Sequence, residues 1–142
     1  MLLQEINIPE IEAEVRAAFG RYERALVTND VETLQAAFWN SPLAIRYGAG
    51  ENLYGRAEID AFRAARSPQG LGRELIRTEI TTFGRDMATA NTVFRRKGSR
   101  GIGRQSQVWV RLQEGWRITS AHVSIVHDGA FQSTCRCRHF AP

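Results

Sequence analysis

The chain has 142 residues, 43% of them hydrophobic and 24% charged, with a net charge of +4. That describes one soluble globular domain, large enough to bury roughly 68–70% of its unfolded surface and to keep a cavity inside its core. No apolar run approaches the ~20 residues needed to span a membrane, and the N-terminus lacks a signal-peptide pattern. A pI near 9.7 raises the question of nucleic acid. The charges are interleaved, however (Glu12, Glu14, Arg16; then Arg21, Glu23, Arg24), which is the pattern of a solvated helix face rather than a basic patch. The expected location is the cytoplasm, with reduced thiols.

Pro9 suits the first turn of a helix. Ile11, Val15, Ala18, Phe19, Tyr22 and Leu26 then recur at helical spacing. Asn29 and Asp30 end that helix and cap a short second one reaching Phe38. Residues 43–47 read as a short strand and 51–54 as a second extended segment. A third helix is expected over 56–66, with Ile59, Phe62, Arg63 and Arg66 on one face. Four long extended runs follow: 73–83, 86–96, 103–112 and 116–126. Turn signals at Gly84-Arg85, residues 98–101 and Glu114-Gly115 separate them. Gly101 to Gly103 is expected to be a hairpin loop. Helices followed by an antiparallel meander predict an α+β fold, a curved sheet wrapped over helices to form a cone with an open mouth. The domain is expected to span 1–127, leaving an irregular tail over 128–142.

Of nineteen basic residues eighteen are arginine, and several stand where a solvated charge should not. Arg46 interrupts an apolar strand, Arg63 lies on an apolar helix stripe, and Arg104 opens a strand. A buried guanidinium is unfavourable unless it meets an anion, and its planar fork suits a carboxylate. A pocket for a small carboxylate-bearing molecule is the first expectation. For Arg46 the alternative is a structural ion pair with Glu51; for Arg63 and Arg66, snorkelling to water. Tyr22 could turn its hydroxyl into the cone, where a neighbouring cation favours the phenolate and makes the phenol a better acid or base. Otherwise it is a core tyrosine with a satisfied hydroxyl. Gln105 and Gln107 share a strand face that Arg104 does not; they could hydrogen-bond a carbonyl and an amide of a bound molecule, or simply face solvent. Strict alternation places His122 with Trp116, Ile118 and Ser124, as a core histidine or a reserve base.

No His/Asp/Glu cluster has metal-ligand spacing, and Cys135, Cys137, His127 and His139 match no standard zinc site. There is no nucleophile elbow and no dinucleotide fingerprint. Neither a metal nor a cofactor is expected.

The order of elements, with Val15–Phe19, Arg46–Gly48, Glu51–Gly55, Ala61–Arg66, Ile102–Gln107 and Ala121–Ser124, resembles the SnoaL-like, nuclear transport factor 2-like superfamily. Within it the chain is similar to the AtzH/HpxZ-like branch over most of its length. That resemblance implies a cystatin-like α+β roll, usually dimeric. It also implies an amidohydrolase that removes one N-carboxy group from 1,3-dicarboxyurea to give allophanate, in cyanuric acid (s-triazine) catabolism. Tyr22 and Arg46 would be catalytic; Arg63, Arg104, Gln105, Gln107 and His122 would bind substrate. The expected partners are the carboxylated urea, a second copy of the chain, and in another reading an amidase that this domain serves as a noncatalytic accessory. Apolar residues on both sheet faces, Ile118 and Val123 for example, are the further reason to expect a homodimer.

Overall fold

A computed structural model describes residues 1–127. The expected tail, with Cys135, Cys137 and His139, lies outside the described residues.

The first helix, α1 (Pro9–Thr28), starts with Pro9 at its first position and stops at Asn29, which takes a left-handed conformation. Asp30 then accepts the Thr33 amide and begins α2 (Val31–Ala37). Two short strands, β1 (Ile45–Tyr47) and β2 (Asn52–Tyr54), precede α3 (Arg56–Ala65). The meander is β3 (Arg73–Phe83), β4 (Met87–Arg96), β5 (Gly101–Leu112) and β6 (Gly115–His127). All six strands form one sheet in the order β2-β1-β6-β5-β4-β3. It is mixed rather than wholly antiparallel, because β1 runs parallel to β6. This parallel junction places Arg46 opposite Ala121, with both side chains on the buried face.

The helices fill the concave side. Ile11, Val15 and Phe19 of α1, Leu34 of α2 and Ile59 of α3 pack with Phe38, Trp109 and Ile118 in one buried cluster. Fully burying each such side chain stabilises by about 1.5–3 kcal/mol.

Two register shifts bend the sheet, between Leu75 and Arg77 in β3 and between Val108 and Trp109 against β6. The second has a direct consequence for the site. Trp109 pairs with Ile118 and Val108 with Ser120, so Thr119 is an extra residue. Beyond it the faces of β6 exchange. Trp116 and Ile118 point inward, and so do Ala121 and Val123, while His122 is exposed. His122 therefore does not share a face with Trp116 and Ile118, as strict alternation predicted. Ile118 and Val123 are likewise both buried on the concave side rather than on opposite faces.

Residues 101–103 are part of β5, not a hairpin loop. Gly103 is glycine for steric reasons: a Cβ there would come within 2.2 Å of the Phe94 ring.

Candidate functional site

The centre of the cone is built on Tyr22 and Arg63. Tyr22 projects from the buried stripe of α1, 3% exposed, its ring edge-on to Phe38 and Trp109. Arg63 comes from the inner face of α3 and is 1% exposed. Its Nη2 donates to the Tyr22 hydroxyl oxygen at 2.6 Å. Its Nε and Nη1 are buried with no partner. Burial, the largest influence, pushes the Arg63 guanidinium below its ordinary pKa; Tyr22 opposes this, and Arg46 and Arg73 add to it by like-charge repulsion.

The floor is β5. Gln105 and Gln107 are 3% and 2% exposed, so neither lies on a solvated face. The Gln105 oxygen accepts from Arg73 Nη2 at 3.3 Å, and the Gln107 oxygen accepts from the Trp109 indole at 3.0 Å. Both carboxamide nitrogens remain buried and unpartnered. An arginine and an indole can only donate, so each carboxamide must turn its oxygen to that neighbour and its NH2 away. Unpaired buried donors on this scale are unfavourable by about 1–3 kcal/mol each, which native proteins tolerate where a ligand supplies the acceptors.

Arg46 is the second cation of the cone, 5% exposed. Its Nη1 donates to Glu51 Oε1 at 2.7 Å, and its guanidinium stacks on Phe62 at 4.9 Å. The ion pair with Glu51 thus exists, yet it engages one nitrogen of a group with five N–H donors. Gly48 makes it possible: a Cβ there would stand 1.8 Å from Glu51 Oε1.

Arg73 and Glu23 also belong here, although interleaved charge marks Glu23 as solvent-facing in the sequence. Glu23 is 8% exposed and forms a two-pronged ion pair with Arg73, through Nε at 3.1 Å and through Nη2. Arg73 also stacks at 4.1 Å on Phe94, whose ring occupies the space that Gly103 leaves open. The available signal was position: Glu23 adjoins Tyr22 and lies four residues past Phe19, on the edge of the α1 stripe.

Arg66 is half-buried, and its pKa is pushed down to about 10 by burial first and then by Arg63, Arg96 and Arg46. Arg96 is lowered for the same reasons, burial leading and Arg73 next. Five guanidiniums (Arg46, Arg63, Arg66, Arg73 and Arg96) therefore act on one another, with Glu23 and Glu51 as the carboxylates paired among them. The interior carries excess positive charge.

Two expected site residues are elsewhere. Arg104 is exposed on the outer face of β5. Its neighbours Gly103 and Gln105 point inward, so alternation takes it out of the cone. His122 is exposed on the outer face of β6, edge-on to Tyr47 at 5.8 Å. Among the described residues no three His, Cys, Asp or Glu side chains group as metal ligands. No helix there is long and apolar enough to cross a membrane.

The sequence model of the AtzH-like family matches residues 4–129. No curated protein matches the sequence significantly. Among solved structures, a protein of unknown function from Pectobacterium atrosepticum is 56% identical; the match covers 89% of this chain and 98% of that one, with a TM-score of 0.87. A cystatin-like fold protein from Burkholderia xenovorans is 46% identical over 87% of this chain and 97% of its own, with a TM-score of 0.84. A nuclear transport factor 2-like superfamily protein from Salmonella enterica serovar Typhimurium is 21% identical, covering 84% and 93%, with a TM-score of 0.68, and shares the fold alone.

Proposed function

From the premise that this chain belongs to the AtzH-like family, we propose that it removes carbon dioxide from an N-carboxylated urea, 1,3-dicarboxyurea, to give allophanate. The observation that carries the reading is the fully buried Arg63, which donates to the Tyr22 hydroxyl and keeps two unpaired nitrogens, together with the unpartnered carboxamide nitrogens of Gln105 and Gln107 on β5. A dianion with a central carbonyl supplies the acceptors that these donors lack. Arg63 takes one carboxylate and Arg46 the other, each by its guanidinium fork. Gln105 and Gln107 hold the carbonyl oxygen.

In the reaction the bond between nitrogen and one carboxyl carbon breaks. Its electron pair is drawn onto the nitrogen and shared with the carbonyl oxygen, where the carboxamide donors stabilise the developing charge. Carbon dioxide leaves, and the Tyr22 hydroxyl gives its proton to the nitrogen. Arg63, donating to the phenol oxygen, stabilises the charge left there until solvent restores the proton. One dicarboxyurea dianion and one proton give one allophanate anion and one carbon dioxide. This route calls on no protein nucleophile.

The same reading pairs two copies through the outer face of the sheet, where Ile45, Tyr47, Val108 and His122 border a hollow of about 330 Å³. Light scattering at micromolar concentration should give twice the chain mass; a monomer removes this part of the proposal. For the chemistry, the test is purified protein alone with 1,3-dicarboxyurea, following allophanate and carbon dioxide. Turnover supports an enzyme. Allophanate that forms only when an amidase is added identifies a noncatalytic accessory instead.

A further inference from the structure

Of the five buried side-chain polar atoms without a partner among the described residues, four are hydrogen-bond donors of Arg63, Gln105 and Gln107, and the fifth is the Thr82 hydroxyl oxygen. Arg63 offers Nε and Nη1; Gln105 and Gln107 each offer Nε2. The carboxylate and carboxamide oxygens nearby each already accept one hydrogen bond. The glutamine oxygens are taken by Arg73 and Trp109, both Glu23 oxygens by Arg73, and Glu51 by Arg46 and the Gly50 amide. The Tyr22 oxygen accepts from Arg63, which leaves its hydroxyl hydrogen to give. The four free donors would thus recognise the oxygens of a bound 1,3-dicarboxyurea, and none of them engages its two N–H groups. Donors that engage only oxygens do not themselves distinguish N–H from CH2 at those positions.

We propose that the same centre also decarboxylates 3-oxodicarboxylates, β-keto diacids in which CH2 stands where the urea has N–H. The placement of the substrate rests on the urea reading above. The bond between one CH2 and its carboxylate breaks. The electron pair moves into the adjoining C–C bond as the carbonyl becomes an enolate oxygen, and carbon dioxide departs. Gln105 and Gln107 donate to that oxygen, which carries the full developing charge, while Arg63 and Arg46 hold the carboxylates as before. Tyr22 then protonates the carbon and is reprotonated from solvent. For the five-carbon member, 3-oxoglutarate, one dianion and one proton give one acetoacetate anion and one carbon dioxide.

The probe is 3-oxoglutarate itself, which loses carbon dioxide slowly unaided, so every rate is read against a protein-free control at the same pH. Acetoacetate formation should exceed that background by on the order of 10² at saturation, and Tyr22→Phe and Arg63→Gln proteins that remain folded by circular dichroism should lose the acceleration. Turnover of 1,3-dicarboxyurea is measured in parallel. Loss of 3-oxoglutarate only at the background rate overturns the inference, whatever the urea does. Acceleration that survives both substitutions overturns it equally, by placing the reaction elsewhere. Acceleration without any urea turnover leaves the inference standing and removes the urea reading.

Discussion

Replacing Tyr22 with Phe tests the proposed proton donor, and the geometry sets two separate magnitudes. The ring stays, so its edge contacts with Phe38 and Trp109 persist. What disappears is the oxygen that accepts from Arg63 at 2.6 Å. Arg63 Nε and Nη1 already lack partners, so the variant leaves the buried guanidinium with no hydrogen bond in the ligand-free protein. A hydrogen bond to a charged group contributes about 1.5–3 kcal/mol. For a domain of this size each kcal/mol moves the melting temperature by roughly 2–4 °C, so a drop of about 3–12 °C is expected. A domain stable by about 5–15 kcal/mol remains almost wholly folded at 25 °C after such a loss. Any large fall in rate at 25 °C therefore belongs to chemistry. Without the donor, kcat on 1,3-dicarboxyurea should fall by on the order of 10²–10⁴. KM should change little, because Arg46, Arg63 and the glutamines remain. The assay is allophanate formation at 25 °C beside a thermal melt. A lower melting point with kcat within threefold of the parent would refute the assignment and make Tyr22 a structural partner of Arg63.

Arg46→Ala should abolish turnover while the protein stays folded, since the stranded Glu51 carboxylate is 27% exposed and can hydrate; Arg46→Lys should recover little, because a point charge lacks the fork. Gly48→Ala should displace Glu51 from Arg46 by steric contact with the new Cβ, changing KM with less than about 1 kcal/mol of stability lost on a denaturant titration. Arg104→Ala and His122→Ala should leave kcat within about threefold of the parent, as both side chains face away from the cone; a hundredfold loss in either would return it to the site. Arg66→Gln should raise the melting temperature at pH 7 by removing a charge that burial disfavours first and that Arg63 and Arg96 then repel. Arg66 is held at about 10, below the ordinary arginine value. Between those values the unfolded chain binds more protons than the folded one, so stability gains with rising pH there. The advantage of Arg66→Gln over the parent should therefore shrink as pH rises through about 10, and an advantage that stays constant would deny the repulsion.

The elements themselves were legible because their signals are local. Pro9, the Asn29-Asp30 stop, the glycine turns and the 3.6- and 2-residue periods each act over a few residues, and they placed three helices and six strands nearly where they stand. The arginines at 46 and 63 were legible for a related reason: a cation inside an apolar period is a local contradiction that only burial with an acceptor resolves. Tertiary structure decided the remainder. The extra residue at Thr119 exchanges the faces of β6, and its effect depends on the strand opposite, so alternation carried His122 to the wrong side. Glu23 looks solvated until Arg73, fifty residues away, is laid beside it. The run from Gly101 to Gly103 looks like a loop until Ile125 and Phe94 from the neighbouring strands fill the space at Gly101 and Gly103 respectively. Local order follows from the steric and hydrogen-bonding preferences of adjacent residues. Which donors are left unpaired at the centre of the cone follows only from which distant partners arrive, and that is the property on which the chemistry rests.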